Sequence, residues 1–218
     1  PGIHWISGGY VNSYVVDGDD GVTLIDTLLP KKEDVVIAAL GEIGRTISDV
    51  TAIVLTHSHA DHAGSAAALK TQSGARLYAS EADAPAIRGD TKPPNPPVMD
   101  RVPFLKPLLG LMPRPPAVEV DEIVAEGKTG LPADLRAIAT PGHTPGHTSF
   151  LLDRQGGILF VGDAAAHKKG TVSRGWFNRK RDDIDASIRH LAEVEFTVAC
   201  FGHSKPLRDG AAAAFRRF

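Results

Sequence analysis

The chain has 218 residues, of which 42% are hydrophobic and 23% are charged, and its formal net charge is −2 at pH 7. A chain of this length can bury a substantial core within one domain. Its charge is balanced rather than basic, which argues against a dedicated nucleic-acid binder, because such proteins carry a concentrated basic face.

The sequence contains one cysteine, Cys200, within an apolar run. One cysteine excludes an intrachain disulfide framework and is typical of a reducing compartment. No apolar run is long enough to span a bilayer, so we expect a cytoplasmic protein without a membrane span. The chain begins at Pro1 rather than at Met, which leaves a removed leader as the alternative.

The N-terminal part of the chain alternates β-rich runs with helical patterns. A cluster of turn residues at 17–21 separates two β-rich runs and predicts a β-hairpin. Residues 32–43 repeat apolar side chains with helical spacing, which predicts an amphipathic helix. The elements predicted here are strands at residues 3–6, 10–16, 22–25, 52–55 and 76–79, and helices at 32–43, 62–71 and 81–87.

Residues 90–117 interrupt this pattern because they are dense in proline and contain an apolar cluster at 102–112. Such a density of proline excludes a long helix or a central strand. The segment is either a loop that covers the domain, or a lid or dimer contact that supplies an apolar wall to an active site. In the dimer alternative the protein would be a homodimer.

The β character returns after this segment. The predicted elements are strands at residues 118–124, 135–139, 148–152, 158–161 and 197–201, and helices at 184–194 and 211–218. No linker-like boundary divides the chain, so we expect a single domain over residues 1–218 with an insert at about 90–117. The pattern alone predicts only an α/β or α+β fold.

Four side chains that can bind a metal lie where the strand predicted at 52–55 leads into a helix. His57 and His59 point to the same side if the strand geometry persists, whereas Asp61 and His62 follow after the chain turns. Imidazole suits zinc or iron, and a carboxylate adds an oxygen ligand and a negative charge. A polar loop that is histidine-rich by chance is disfavoured, because three of the nine histidines of the chain fall here.

The pattern H-x-H-x-D-H, followed by Ala63-Gly64, resembles the metallo-β-lactamase-fold metallohydrolases. The resemblance covers about residues 10–203. It implies a four-layer αββα sandwich that carries one or two metal ions at one edge, between its two sheets.

Three later motifs resemble the remaining ligand positions of this family. The loop Pro-Gly-His-Thr-Pro-Gly-His contains His143 and His147, and the resemblance implies that His143 is the ligand. His147 opens the following strand, so we expect a supporting or packing residue, with direct ligation as the alternative. Asp163 follows an apolar run, where burial would be costly for an unpaired carboxylate. A Gly-Asp pair alone is typical of a turn, but its place in the family's order implies a carboxylate that bridges two metals. His203 resembles the closing histidine of the family.

The resemblance implies one metal bound by His57, His59 and His143, and another bound by Asp61, His62 and His203, with Asp163 shared. Three protein ligands and a bridge leave a position for water, which is typical of a catalytic site. We expect two divalent ions, zinc in the first place, with iron or manganese as alternatives.

This ligand set predicts metal-assisted hydrolysis, in which a metal-bridging hydroxide attacks a carbonyl or phosphoryl centre. Asp61 is the expected catalytic residue, because it can orient the hydroxide and carry its proton. An intact bridging aspartate fits acyl-homoserine lactonase-like and glyoxalase II-like thioesterase members better than β-lactamases, which in general lack it. The alternatives are a β-lactamase, a mononuclear iron sulfur dioxygenase-like enzyme, and a metal-binding protein without catalysis.

The expected partner is a small-molecule substrate rather than a nucleic acid. His167, Trp176, Phe177 and Asn178 follow the Asp163 motif and are candidate substrate contacts. The two aromatic residues either wall an acyl pocket or belong to the ordinary core.

Overall fold

The computed structural model describes residues 2–94 and 114–218 of the chain. Most of the proline-rich segment predicted as a lid, dimer contact or covering loop therefore lies outside the described residues. The described residues contain the predicted metal-binding and substrate-contact side chains.

Two β-sheets form the centre of the described structure. The first contains, in spatial order, β1 (Ile3–Ser7), β2 (Asn12–Gly18), β3 (Gly21–Ile25), β4 (Val50–Val54), β5 (Arg76–Ser80) and β6 (Glu122–Val124). The second contains β7 (Leu135–Ala139), β8 (Thr148–Leu152), β9 (Ile158–Gly162) and β12 (Val198–Phe201), in the order β12-β9-β8-β7. The strands β10 (Ala165–Lys168) and β11 (Thr171–Arg174) form a separate hairpin.

Helices cover the outer face of each sheet. The helices α1 (Glu33–Glu42), α2 (Ala60–Ala63), α3 (Ala66–Ser73) and α4 (Ala84–Ile87) supply apolar side chains to the core on the first sheet. The helices α5 (Arg181–Ala192) and α6 (Ala211–Arg216) do the same on the second sheet. A third core, which includes Tyr14, Phe150 and Phe160, lies between the sheets. The chain therefore has the four-layer αββα arrangement that was expected.

Strand β9 shows how the sequence specifies these layers. Its side chains are all buried, because both faces of the second sheet are covered. Leu159 and Val161 belong to the core under the helices, whereas Ile158 and Phe160 belong to the core between the sheets. This alternation follows from the two-residue repeat of a β-strand.

No helix among the described residues has the length and apolar character that a membrane span requires.

Three predicted elements differ from the structure, and one hairpin of the structure was not predicted. The helix predicted at 81–87 begins only at Ala84. The helix predicted at 62–71 is split into α2 and α3, because Gly64 packs against the backbone of Leu29 and Pro30. The strand predicted at 118–124 is limited to β6, since the preceding residues bond instead to Ile87 and Leu77. The β10–β11 hairpin was not predicted, because its strands contain few β-branched residues.

Two glycines provide a matched test of this packing. A Cβ at Gly64 would lie 2.3 Å from the backbone nitrogen of Pro30, whereas a Cβ at Gly41 in α1 would meet nothing within 4 Å. We expect Gly64→Ala to lower the free energy of unfolding by about 1–3 kcal/mol or more, as overpacking does. Gly41→Ala should raise it by about 0.5–1 kcal/mol, because alanine favours the helix. Urea unfolding followed by circular dichroism measures both, and equal stabilities for the two variants would contradict this account.

Candidate metal centre

The candidate ligands all follow the carboxyl ends of strands. β3 and β4 run parallel, as do β9 and β12, so the ends of each pair meet at one edge. β7 ends at the same edge as β9, because β8 is antiparallel to both. The H-x-H-x-D-H motif follows β4, His143 follows β7, Asp163 follows β9 and His203 follows β12. The topology thus collects residues from distant parts of the chain.

Three imidazoles form the first ligand group. His57 Nε2 lies 3.1 Å from His59 Nδ1, which lies 2.8 Å from His143 Nε2. A tetrahedral zinc site with Zn–N bonds of about 2.0–2.1 Å separates its nitrogen ligands by about 3.3 Å. The three nitrogens therefore face a common point at which one ion could be held.

Asp61, His62 and His203 form the second group. Asp61 Oδ2 lies 3.3 Å from His203 Nε2 and 4.0 Å from His62 Nε2. Asp163 lies between the two groups. Its Oδ2 is 3.2 Å from His203 Nε2 and 3.6 Å from His143 Nε2. Its Oδ1 is 3.3 Å from His62 Nε2. One carboxylate can thus reach both groups.

Asp26, at the end of β3, orients two of the imidazoles. His62 donates from Nδ1 to Asp26 Oδ2 over 2.7 Å, which leaves the Nε2 lone pair of His62 facing the site. The hydroxyl of Thr56 also donates to Asp26 Oδ2, at 2.8 Å, so its oxygen accepts from His57 Nδ1 at 3.0 Å. His57 therefore presents Nε2 to the first group.

Backbone carbonyls orient two further imidazoles. His203 donates from Nδ1 to the carbonyl of Tyr10 over 2.7 Å, and His59 donates from Nε2 to the carbonyl of Pro94 over 2.9 Å. The free nitrogen of each ring is the one that lies within its ligand group. The phenol of Tyr10 donates to Asp61 Oδ2 over 3.1 Å, and burial and the charge of Asp61 raise the pKa of Tyr10 well above its ordinary value.

His147 is adjacent to the ligands, and both of its ring nitrogens are engaged. The backbone N–H of Asp163 donates to His147 Nε2 over 3.0 Å, so His147 donates from Nδ1 to the hydroxyl of Thr140 over 2.8 Å. This residue therefore supports the backbone of Asp163.

Asp83 joins the two loops that supply the first group. It accepts from the backbone N–H of Ser58 at 2.9 Å, from the hydroxyl of Thr144 at 2.8 Å and from the backbone N–H of Gly146 at 2.9 Å. Since Ser58 lies between two ligands and Thr144 follows another, the buried carboxylate sets the spacing of the histidines.

The charges of the two groups suit a cation. Burial lowers the pKa of His57 well below its ordinary value and lowers that of His143 to about 4, which keeps both rings neutral. Burial by itself raises the pKa of Asp61 and of Asp163, but the nearby His62 and the hydrogen bonds from His203 outweigh it and lower both values. Burial by itself lowers the pKa of His62 and of His203, but the carboxylates outweigh it and raise the pKa of His62 well above its ordinary value and that of His203 to about 10. A metal ion bound in the second group would therefore take the place of protons on these two rings. Neutral imidazoles and ionised carboxylates are the forms that bind metals.

The surroundings also fit a bound ion. His62 Nε2 and Asp163 Oδ1 are buried and lack a hydrogen-bond partner. Such groups are rare in folded proteins, and a bound ion would satisfy both of them. A Cβ at Gly202 would lie 2.1 Å from Asp163 Oδ1, so glycine leaves the space beside these atoms open.

The family model described as the metallo-beta-lactamase superfamily matches residues 6–203. The chain belongs to this superfamily. It is 32% identical over 210 residues to the uncharacterized protein YobT of Bacillus subtilis (strain 168), covering 91% of this chain and 85% of that protein. It is 24% identical over 219 residues to the N-acyl homoserine lactonase of Bacillus cereus, covering 87% of this chain and 79% of that protein.

Solved structures show the same fold. BJP-1, a subclass B3 metallo-beta-lactamase of Bradyrhizobium japonicum, matches with a TM-score of 0.70 and 28% identity, covering 92% of this chain and 74% of that chain. Proteins of the metallo-beta-lactamase fold bind divalent metals, typically zinc, and membership of this superfamily indicates a hydrolase. The histidine-rich groups of this member lie at the edge where the resemblance placed them.

The predicted substrate contacts occupy different surroundings in this superfamily member. The ring of His167 packs on Phe201, and its Nε2 donates to the carbonyl of Lys205. Both contacts are therefore with the end of β12 and the segment that follows it. Trp176 stacks on His203 and is exposed, as is Phe177. Asn178 donates to the carbonyl of Gly175 within the same loop.

Asp26 and Asp83 were missed as site residues. Asp26 ends a buried strand, as Asp163 does, and that position was an available signal. Asp83 carries no such signal, because its three partners come from two other loops. The carbonyl of Pro94 was also beyond prediction, since a backbone group leaves no trace in the residue type.

Asp26→Asn tests the support beneath the ligands. An amide cannot accept all the hydrogen bonds that the carboxylate accepts, so we expect zinc affinity to fall by about 10–100-fold. Competition with a chromogenic chelator measures the affinity. Asp153→Asn is the matched control, because that carboxylate is exposed and lies 3.6 Å from Arg136, and its affinity should be unchanged. Equal affinities for the two variants would show that Asp26 does not position the ligands.

Proposed function

We propose that this chain is a metal-dependent hydrolase that cleaves an ester-like bond, a lactone or a thioester, in a small molecule. The observation that carries the proposal is Asp163, whose two oxygens reach both ligand groups. In this proposal His57, His59 and His143 would hold one ion, Asp61, His62 and His203 would hold another, and Asp163 lies within reach of both groups.

The donor set favours zinc. Five imidazole nitrogens and two carboxylates suit a borderline cation, and iron or manganese would accept the same ligands. Bound divalent ions would supply Lewis acidity and lower the pKa of water at this edge. The open positions in each group fit a site that reacts rather than one that only stabilises the fold.

Asp61 is the proposed proton carrier. It is only partly buried and its pKa is lowered, so it is ionised near neutral pH, and its Oδ2 faces His62 and His203. It can accept a proton from the attacking water and return it to the leaving group. Cys200 is unsuited to be a nucleophile, because it lies in the core between the sheets and burial raises the pKa of its thiol to about 12.

The substrate class follows from the relatives and from the bridging carboxylate. The likeness to N-acyl homoserine lactonase of Bacillus cereus supports a lactone. The likeness to the BJP-1 structure makes a β-lactam the second candidate. Asp163 favours the lactone or thioester, because β-lactamases in general lack a carboxylate at this position.

The first test compares three substrates with the metal-loaded protein: an acyl-homoserine lactone, an acyl-glutathione thioester and a β-lactam. We expect hydrolysis of the lactone or the thioester, loss of activity with a chelator, and recovery when zinc is added. Metal analysis of the purified protein reports which ion it carries. Faster turnover of the β-lactam would favour the second candidate, and no turnover of any substrate would contradict the proposal.

Asp61→Ala tests the proton carrier. Loss of this carboxylate should lower kcat by at least about 10²–10⁴-fold, the usual contribution of a general acid–base, while the fold stays largely intact. Initial rates, the melting temperature and the zinc content are measured together, since Asp61 also belongs to a ligand group. Full activity in this variant would exclude the proposed role.

A further inference from the structure

Exposed aromatic rings are concentrated at one side of the metal centre. Among the described residues, the exposed large hydrophobic side chains are Trp5, Tyr10, Trp176, Phe177 and Phe218. Tyr10 and Trp176 both contact His203, and Phe177 is the neighbour of Trp176. We call Tyr10, Trp176 and Phe177 the aromatic mouth.

Two of the three rings of the mouth, Tyr10 and Trp176, are stacked on a candidate ligand. The ring of Tyr10 lies 5.2 Å from that of His203 with an interplanar angle of 23°, and the ring of Trp176 lies 6.1 Å away with an angle of 26°. Trp176 nevertheless remains 63% exposed and Phe177 61% exposed. Burying such rings is strongly favourable. Their exposure beside the candidate metal centre therefore indicates that a bound molecule covers them.

The loop that carries Trp176 and Phe177 is fixed at both ends. A Cβ at Gly175 would lie 2.0 Å from the carbonyl oxygen of Asp163, so only glycine allows this approach. At the other end, the backbone N–H groups of Arg179 and Lys180 donate to the carbonyl of Gly142 over 2.8 and 3.0 Å. The rings are thus tied to the backbone next to two ligands, Asp163 and His143.

Phe177 occupies a backbone conformation that aromatic residues avoid. Its φ is +61°, in the left-handed region that favours glycine. Glycine would adopt this turn with less strain, and an exposed phenyl ring adds nothing to the core. Strain of this kind accumulates at sites of function, which indicates that the ring itself is required here.

We propose that the aromatic mouth determines specificity by binding the apolar group of a neutral substrate, such as an acyl chain, on the His203 side of the metal centre. This inference rests on the proposed hydrolysis of a lactone or thioester and specifies the side on which the acyl group lies. The hydroxyl of Tyr10 is engaged with Asp61, so it is not a free polar group for a substrate. Lys180, on the same loop, lies 3.5 Å from Asp183, whose carboxylate partly offsets its positive charge.

The two tryptophans of the chain allow a direct binding test. In Trp5→Phe, Trp176 becomes the sole tryptophan, and its fluorescence reports on the mouth. The zinc-loaded variant is titrated with N-acyl homoserine lactams of increasing chain length, whose ring amide replaces the ester. We expect the fluorescence of Trp176 to change and Kd to fall by about two- to fourfold for each added methylene. A Kd that is independent of the acyl chain length would overturn the proposal. The same holds if the lactams bind only when an anionic group is added to them.

Single substitutions in the aromatic mouth distinguish an effect on substrate specificity from an effect on protein stability. Trp176→Ala should raise the KM of a long-chain substrate by about tenfold or more and affect KM more than kcat, as the loss of an aromatic anchor does. Phe177→Gly should also raise this KM while its melting temperature stays equal or rises, because the backbone strain is relieved. Trp5→Ala is the matched control and should change neither constant. If the KM of Trp176→Ala depended on acyl chain length as it does in the unmodified protein, the proposed role of the aromatic mouth would be excluded.

The two proposals fail in different ways. Tight, chain-length-dependent binding of the lactams without hydrolysis of lactones or thioesters would support acyl binding by the aromatic mouth and contradict the proposed hydrolase activity. Hydrolysis whose kcat/KM is independent of chain length would support the hydrolase and contradict the mouth.

Discussion

The carboxylate of Asp26 is the constraint on which the metal centre depends. It is almost completely buried, and burying a charge costs several kcal/mol unless hydrogen bonds compensate. The backbone N–H and hydroxyl of Thr56 and the Nδ1 of His62 provide that compensation. Because Thr56 also accepts from His57, one buried charge joins the end of β3 to both ligand groups. The orientation of the ligands is therefore a consequence of satisfying this carboxylate.

Much of the fold and of the site could be predicted, for identifiable reasons. The unbroken apolar run of β9 and the helical repeat in α5 are local signals, so both elements were located, although α5 (Arg181–Ala192) begins and ends earlier than the predicted range of 184–194. The spacing of His57 and His59 is also local, and the resemblance supplied the distant members of each group. The metal-binding roles of these residues remain part of the proposed function, while their proximity is a property of the structure.

The features that could not be predicted depend on tertiary neighbours. Asp83 looks like an ordinary turn residue, and only the folded chain brings Ser58, Thr144 and Gly146 to its oxygens. The split between α2 and α3 arises from the approach of Leu29 and Pro30 to Gly64, which no helical pattern reveals. The environment of Trp176 likewise depends on His203, which follows the last strand.

Asn12 joins the two ends of the chain beside the metal centre. Its side-chain amide donates to the carbonyls of Phe201 and Ser204, which are 189 and 192 residues away in sequence. Contacts of such long range form late, because a long loop must close before they contribute. During synthesis on the ribosome, the N-terminal sheet can pair before its partner has emerged, but the residues around Asn12 cannot. The nascent chain therefore acquires its complete metal centre only after residues 198–204 have left the ribosome and β12 has joined the second sheet.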